Sequence, residues 1–168
     1  MKKTAAIVVP GQDTWKDLGL VSIVSLVDHA LVQPVLHIKH ETESTALQHL
    51  IDVVLFGKDR RTLKTRIGEV TLQAALFRHV VEKRDDARER YAGYIEQAMM
   101  NPVEIWLTKY SDASERHVFI GLFKGKRQVA IIVHKNSDDG KIFWNLITKS
   151  KTKGLNQQRI GVLIWRRY

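Results

Sequence analysis

Few side-chain types in this chain can carry bond-making chemistry. Cysteine is absent from its 168 residues, which removes thiol nucleophiles, thiolate metal sites and disulfides together. No Walker-type glycine loop or paired-aspartate metal site occurs either. Histidine, glutamate, lysine, arginine and tyrosine remain. They suffice for one demanding reaction, metal-free cleavage of a phosphodiester by its neighbouring 2′-hydroxyl. That reaction needs a proton acceptor, a proton donor for the leaving oxygen and fixed cations for the developing charge. His79 is the best-placed titratable residue, because an imidazole of ordinary pKa ~6.5 exchanges protons at neutral pH. The competing reading is a buried structural histidine, since it shares an apolar face with Leu72, Leu76 and Val80. Arg88 and Arg90 flank the next apolar stripe and read as phosphate clamps or as solvated helix charges. Asn145 breaks the apolar run IFWNLI and either marks an edge or faces a site. His37 and His40 are spaced as a helical metal pair, but Pro34 precedes them closely and no third ligand is evident, so they read as surface residues.

These candidates need elements to position them. A short strand is expected at Ala5 to Val9, then a mixed apolar region broken by Pro34, then one clear helix from Ser44 to Phe56. In that helix Ala46, Leu47, Leu50, Ile51, Val54 and Leu55 fill one face of a 3.6-residue period, and Gly57 stops it. The basic stretch Lys58 to Arg66 reads as a loop, followed by a short strand to Val70 and a helix that Thr71 caps. A second helix is expected after Asp86-Ala87-Arg88-Glu89, a spacing like a capping box, and Asn101-Pro102 ends it. Beyond that point the pattern alternates as sheet: Val103 to Thr108, Val118 to Phe123, Val129 to Val133, Ile142 to Ile147 and Ile160 to Trp165. Polar turns at Asp112 to Glu115, Lys124-Gly125-Lys126 and Ser137-Asp138-Asp139-Gly140 separate them. Helices first and a meander afterwards predict an α+β fold. The helices pack on one face of a four- to five-stranded antiparallel sheet, and the other face is free to bind. Residues 1–65 read as an accessory segment and residues 66–168 as the principal domain.

Composition allows such a core, with 44% hydrophobic and 27% charged residues. No run approaches the ~20 apolar residues a bilayer-spanning helix needs, so no membrane partner is expected. The opening MKKTAAIVVP resembles a signal peptide, but Pro10 cuts the apolar patch short and it reads as mature chain. Charge is strongly uneven. Residues 1–115 hold 15 basic and 16 acidic side chains, whereas residues 116–168 hold 12 basic against only Asp138 and Asp139, a net +10. A field of that density draws polyanions, phosphate backbones foremost. Phe119, Phe123, Phe143, Trp144, Trp165 and Tyr168 interleave with the cations, a composition suited to stacking bases between phosphate contacts, although most belong to a core. Lys124, Lys126, Lys149 and Lys151 are the expected RNA contacts of the basic connections.

Five stretches, HVVEKRDDARERYAGYI (His79 to Ile95), NPVEIWLTKY (Asn101 to Tyr110), RHVFIGLF (Arg116 to Phe123), KIFWNLI (Lys141 to Ile147) and LNQQRIGVLIW (Leu155 to Trp165), occur in an order that resembles a phage-associated nuclease family. It is similar to the barnase, EndoU, colicin D and RelE-like group, in the form found at the C-termini of phage Mu F-type head-morphogenesis proteins and polymorphic toxins. The resemblance covers residues 66–168. It implies a small α+β ribonuclease acting on RNA, with tRNA the expected target, and without metal or other cofactor. It makes His79 the general acid or base, with Tyr91 or Glu104 as partner. Arg90, Arg159 and Arg88 become phosphate binders, and Trp106 and Asn145 complete the site. It further implies an acidic immunity or antitoxin protein, contact with a phage structural protein, and action in the cytoplasm of the producing or target cell or from a virion. The rival expectation is a non-catalytic module that binds nucleic acid or docks to a phage head.

Overall fold

The computed structural model describes residues 6–136, 140–149 and 154–168. Three α-helices are described, α1 (Glu43–Leu55), α2 (Arg78–Val81) and α3 (Ala92–Met100). The strands are β1 (Arg60–Thr65), β2 (Gly68–Gln73), β3 (Glu104–Lys109), β4 (Glu115–Phe123), β5 (Arg127–Asn136), β6 (Gly140–Lys149) and β7 (Val162–Arg166). They form one sheet in the order β1-β2-β6-β5-β4-β3-β7. Every pairing is antiparallel except β2 with β6, which is parallel through Val70–Lys141 and Thr71–Ile142.

The α+β class holds, and the sheet is larger and less regular than four or five antiparallel strands. Lys58 to Arg66 does not remain a loop. Residues 60–65 pair with 68–73 as a hairpin, burying Leu63, Val70 and Leu72. The charged sequence RRTLKT suits an edge strand, where lysine and arginine discourage pairing with other chains. The helix expected from Thr71 gives way to strand, because Val70 and Leu72 alternate into the core. A 3-10 turn, Ala74–Leu76, and one turn of α2 come next. The Asp86 to Glu89 spacing likewise opens a 3-10 turn, Arg88–Tyr91, before α3 starts. α1 matches its reading closely: the Thr42 side chain accepts from Thr45 N at 3.1 Å, and the chain leaves through Phe56 and Gly57 with positive φ. Val8 makes only an isolated bridge to Tyr110. Ala5, residues 137–139 of the expected turn and Lys151 lie outside the described residues.

Both sheet faces are covered over much of their area. On one, Leu50 and Val54 of α1 and Tyr94, Ile95 and Ala98 of α3 pack on Phe119, Ile131 and Phe143. The opposite face, expected to be free, carries a second core. There Ile23 and Leu26 of the N-terminal segment and Leu155 meet Trp106, Val118, Ile120 and Ile132. Backbone bridges hold this cover in place, Thr14 to Ile160 and Leu31 to Phe123. It stops short of the end of the sheet nearest His134, and a cleft opens there beside the Val8–Tyr110 bridge.

Candidate active site

A β-bulge creates the cleft's central feature. Between β5 and β6 the register runs Ile132↔Asn145 and then Val133↔Phe143, so Trp144 is the extra residue. Bulges re-aim side chains, and here both Trp144 and Asn145 line the cleft. α2 delivers His79, whose ring lies 4.7 Å from that of Trp144 at 27°. His134 of β5 packs against the same indole at 5.5 Å. Its register partner on β4 is Arg116, so the two side chains are neighbours across the ladder. The Arg116 guanidinium sits 4.0 Å above the Tyr110 ring and donates to Asp112 Oδ2 at 3.3 Å. Ile7 and Val8 supply a wall, pinned by the Ser111 N to Ile7 O bond of 2.8 Å. The open cleft has a volume of about 980 Å³, ample for a nucleotide-sized group.

Electrostatics separate the cleft's groups. Burial and then the nearby Arg116 charge hold His134 below the ordinary histidine value, so at neutral pH it is an uncharged imidazole able to accept a proton. Burial raises the Tyr110 phenol, which therefore stays protonated. Arg88 reaches in from the 3-10 turn: its Nη1 donates to Asn145 Oδ1 at 2.9 Å, while Nε and Nη2 hold Asp86. The cleft thus offers two imidazoles, the Arg116 guanidinium, an amide and an indole, with Arg88 held behind the amide.

Of the residues singled out from sequence, the structure brings His79, Arg88 and Asn145 together here. Glu104 and Arg159 lie elsewhere, fully buried, joined by Nε–Oε2 at 2.7 Å and Nη2–Oε1 at 2.6 Å. Trp106 is buried beside them and donates its indole N–H to Glu104 at 2.7 Å. The Tyr168 hydroxyl donates to the same carboxylate, and burial together with Glu104 pushes that phenol up to about 12. Tyr91 is buried on the helical side, its hydroxyl accepting from Arg127 at 3.0 Å. Arg90 donates to His37 O at 3.3 Å. Lys124 and Lys126 are exposed on the β4–β5 turn beside a smaller hollow, and Lys149 closes β6. Sequence reading did not single out His134, Arg116 or Tyr110. A signal existed for two of them: Arg116 and His134 sit two residues from Val118 and Ile132, in phase with apolar positions of one sheet face.

A helical layer on one face of a mixed sheet, and a cleft lined by two imidazoles and the Arg116 guanidinium on the other, define an α+β protein with a histidine-rich candidate site. The chain belongs to the phage-Barnase-EndoU-ColicinE5/D-RelE like nuclease 2 family, whose model matches residues 53–166. It therefore carries a nuclease domain of the barnase, EndoU and colicin type, and the match spans β1 through β7. Comparison with curated proteins and with solved structures gives no match.

Proposed function

We propose that the protein is a metal-independent endoribonuclease of toxin or effector type that cleaves RNA by 2′-hydroxyl transesterification. The observation that carries this reading is the pair of histidines packed against Trp144 in one cleft with Arg116, in a chain of a nuclease family. His134, uncharged at neutral pH, takes the proton from the 2′-hydroxyl as its oxygen attacks phosphorus. His79 gives a proton to the departing 5′ oxygen, leaving a 2′,3′-cyclic phosphate. Arg116 and Arg88 hold the non-bridging oxygens as charge grows on them. His134 takes the place that the sequence reading gave to Tyr91 or Glu104. The choice of tRNA among RNAs, an acidic neutralising protein, a phage structural partner and a cytoplasmic site of action rest on the family resemblance.

The test is incubation with total tRNA and ribosomal RNA in excess EDTA, with analysis of fragment ends. Wild-type protein is expected to give discrete fragments with cyclic phosphate ends. His79→Ala and His134→Ala should each lose about 10²–10⁴-fold in rate while retaining RNA binding. Cleavage indifferent to both changes, or arising only on metal addition, would overturn the proposal. Intact RNA that binds in a salt-dependent way would favour the non-catalytic module.

A further inference from the structure

Residues 32–41 cross the helical layer as an extended strap outside any strand or helix. Four hydrogen bonds tie its second half down. His37 N donates to Arg90 O at 2.9 Å, Arg90 Nε to His37 O at 3.3 Å, His40 N to Glu89 Oε1 at 3.0 Å and Arg84 Nη2 to His40 O at 2.5 Å. Apolar packing adds little, because Val32, Val35 and Ile38 point to solvent with exposures of 72%, 77% and 74%. Between the tie points α1 presents His49. Its ring centroid lies 4.7 Å from that of His37 and 4.7 Å from that of His40. Three imidazoles therefore share the joint between strap and helix, against the sequence reading of His37 and His40 as surface residues.

The joint tolerates neutral rings and penalises charged ones. Nε2 of His40 and of His49 are sealed from solvent and have no hydrogen-bond partner. A proton added at His49 Nε2 would be a buried donor with nothing to accept it. A second proton would place like charges in adjacent rings. The groups that face His49 are His37 and His40 from the strap, Glu89 from the 88–91 turn and Asp52 on its own helix. Glu89 and Asp52 favour a charge on His49, but burial and the two neighbouring imidazoles outweigh them. Glu89 is fully buried and already takes Arg84 at 2.6 Å and 3.1 Å as well as His40 N. Arg84 and Arg90 add fixed positive charge at the strap's tie points, and Glu43 acts on Arg84 from the start of α1. Burial, followed by the charges of His37 and His40, holds His49 below the ordinary value. Among the described residues no three His, Asp or Glu side chains are arranged to hold a metal ion.

We infer that His49, packed between His37 and His40, is a proton-operated latch that seals residues 32–41 onto the helical layer when its ring is neutral and releases them when it is protonated. The latch is independent of the nuclease reading. Its test is amide hydrogen exchange on the full chain at pH 7.5 and 5.5, expressed as protection factors corrected for intrinsic rates. The His37 and His40 amides report the strap, and Ile131 in β5 reports the core. Wild-type protein is expected to lose strap protection severalfold at pH 5.5 relative to pH 7.5, with Ile131 still protected. His49→Phe keeps a ring but cannot take a proton, and its strap should stay protected at both pH values. His49→Leu serves the same purpose if the first variant does not fold. Equal strap protection at both pH values in wild type, or an undiminished loss in a folded His49 variant, would overturn the latch. So would stoichiometric Zn²⁺ binding at pH 7.5 that His49→Phe abolishes, since the cluster would then be a metal site.

Discussion

At the scale of single residues, Glu104 and Arg159 show how one pair of side chains supports two opposite readings. A glutamate and a tryptophan in an alternating strand, with an arginine 55 positions later, look like a catalytic set in one dimension. In the fold the same residues close a buried network, in which Arg159 also reaches Val21 O at 2.9 Å and Asn156 Oδ1 at 2.8 Å. The network ties the N-terminal cover to β3 and the segment before β7. Removing the charge from one partner leaves the other ionised and unpaired in a dry site, which costs about 3–5 kcal/mol. Glu104→Gln is expected to lower unfolding stability by that amount, read from the urea midpoint at constant slope. A loss below about 1 kcal/mol would mean that water reaches the pair. The candidate cluster was only partly legible for the same reason. His79, Arg88 and Asn145 could be named by type and position, whereas Arg116 and His134 become neighbours only through the β4–β5 register.

Elements were legible where their pattern is local. α1 and strands β3 to β7 follow from 3.6- and 2-residue periods that their own residues display. β1 and β2 do not: RRTLKT carries one apolar residue, and its strand state is decided by pairing with Gly68–Gln73 and by the parallel join to β6. The stretch 72–80 satisfies a helical period; tertiary burial of Val70 and Leu72 claims its start for β2, and helical turns follow at Ala74–Leu76 and Arg78–Val81. The cover formed by the N-terminal segment has no period, because it is held by distant bridges. Close approach between layers is also invisible until the elements dock. α3 crosses β4 at Gly121, where an added Cβ would lie 2.7 Å from Ala98 Cβ and 3.1 Å from the Phe123 ring. The φ of Gly121 is not positive, so space alone demands glycine there. Gly121→Ala should push α3 off the sheet and cost about 1–3 kcal/mol, seen as a lowered melting temperature. An unchanged melting temperature would show that α3 rides loosely over β4.

Across the whole molecule, charge is less outward-facing than the sequence total suggests. Within the basic last third Arg159 is buried, Arg116 pairs with Asp112, and Arg127 donates to Tyr91. Histidine then sets how stability responds to pH. Burial depresses His49, His117 and His134, with Lys141 and Lys135 adding to the effect at His117 and Arg116 at His134. A histidine whose folded value lies below its unfolded one binds its proton more readily in the unfolded chain. Stability is therefore full above about pH 6.5, the unfolded value, and is lost as pH falls through the folded values. Carboxylates act in the same direction at lower pH. Burial opposes ionisation of Glu89, but hydrogen bonds from Arg84 and from His40 N outweigh it and hold the group below its ordinary value. Asp112 is lowered by hydrogen bonds from Ser114. A second loss is therefore expected below about pH 4. Urea midpoints should fall between pH 7.5 and 5.5 and fall again below pH 4. The first step should persist in high salt, since desolvation, unlike the attraction between exposed charges, is not screened. His117 gives the sharpest check, because its Nδ1 is buried without a partner. His117→Leu should raise the midpoint at pH 5.5 more than at pH 7.5. An equal shift at both values would show that the native protein protonates His117 freely and that the other two histidines carry the acid sensitivity.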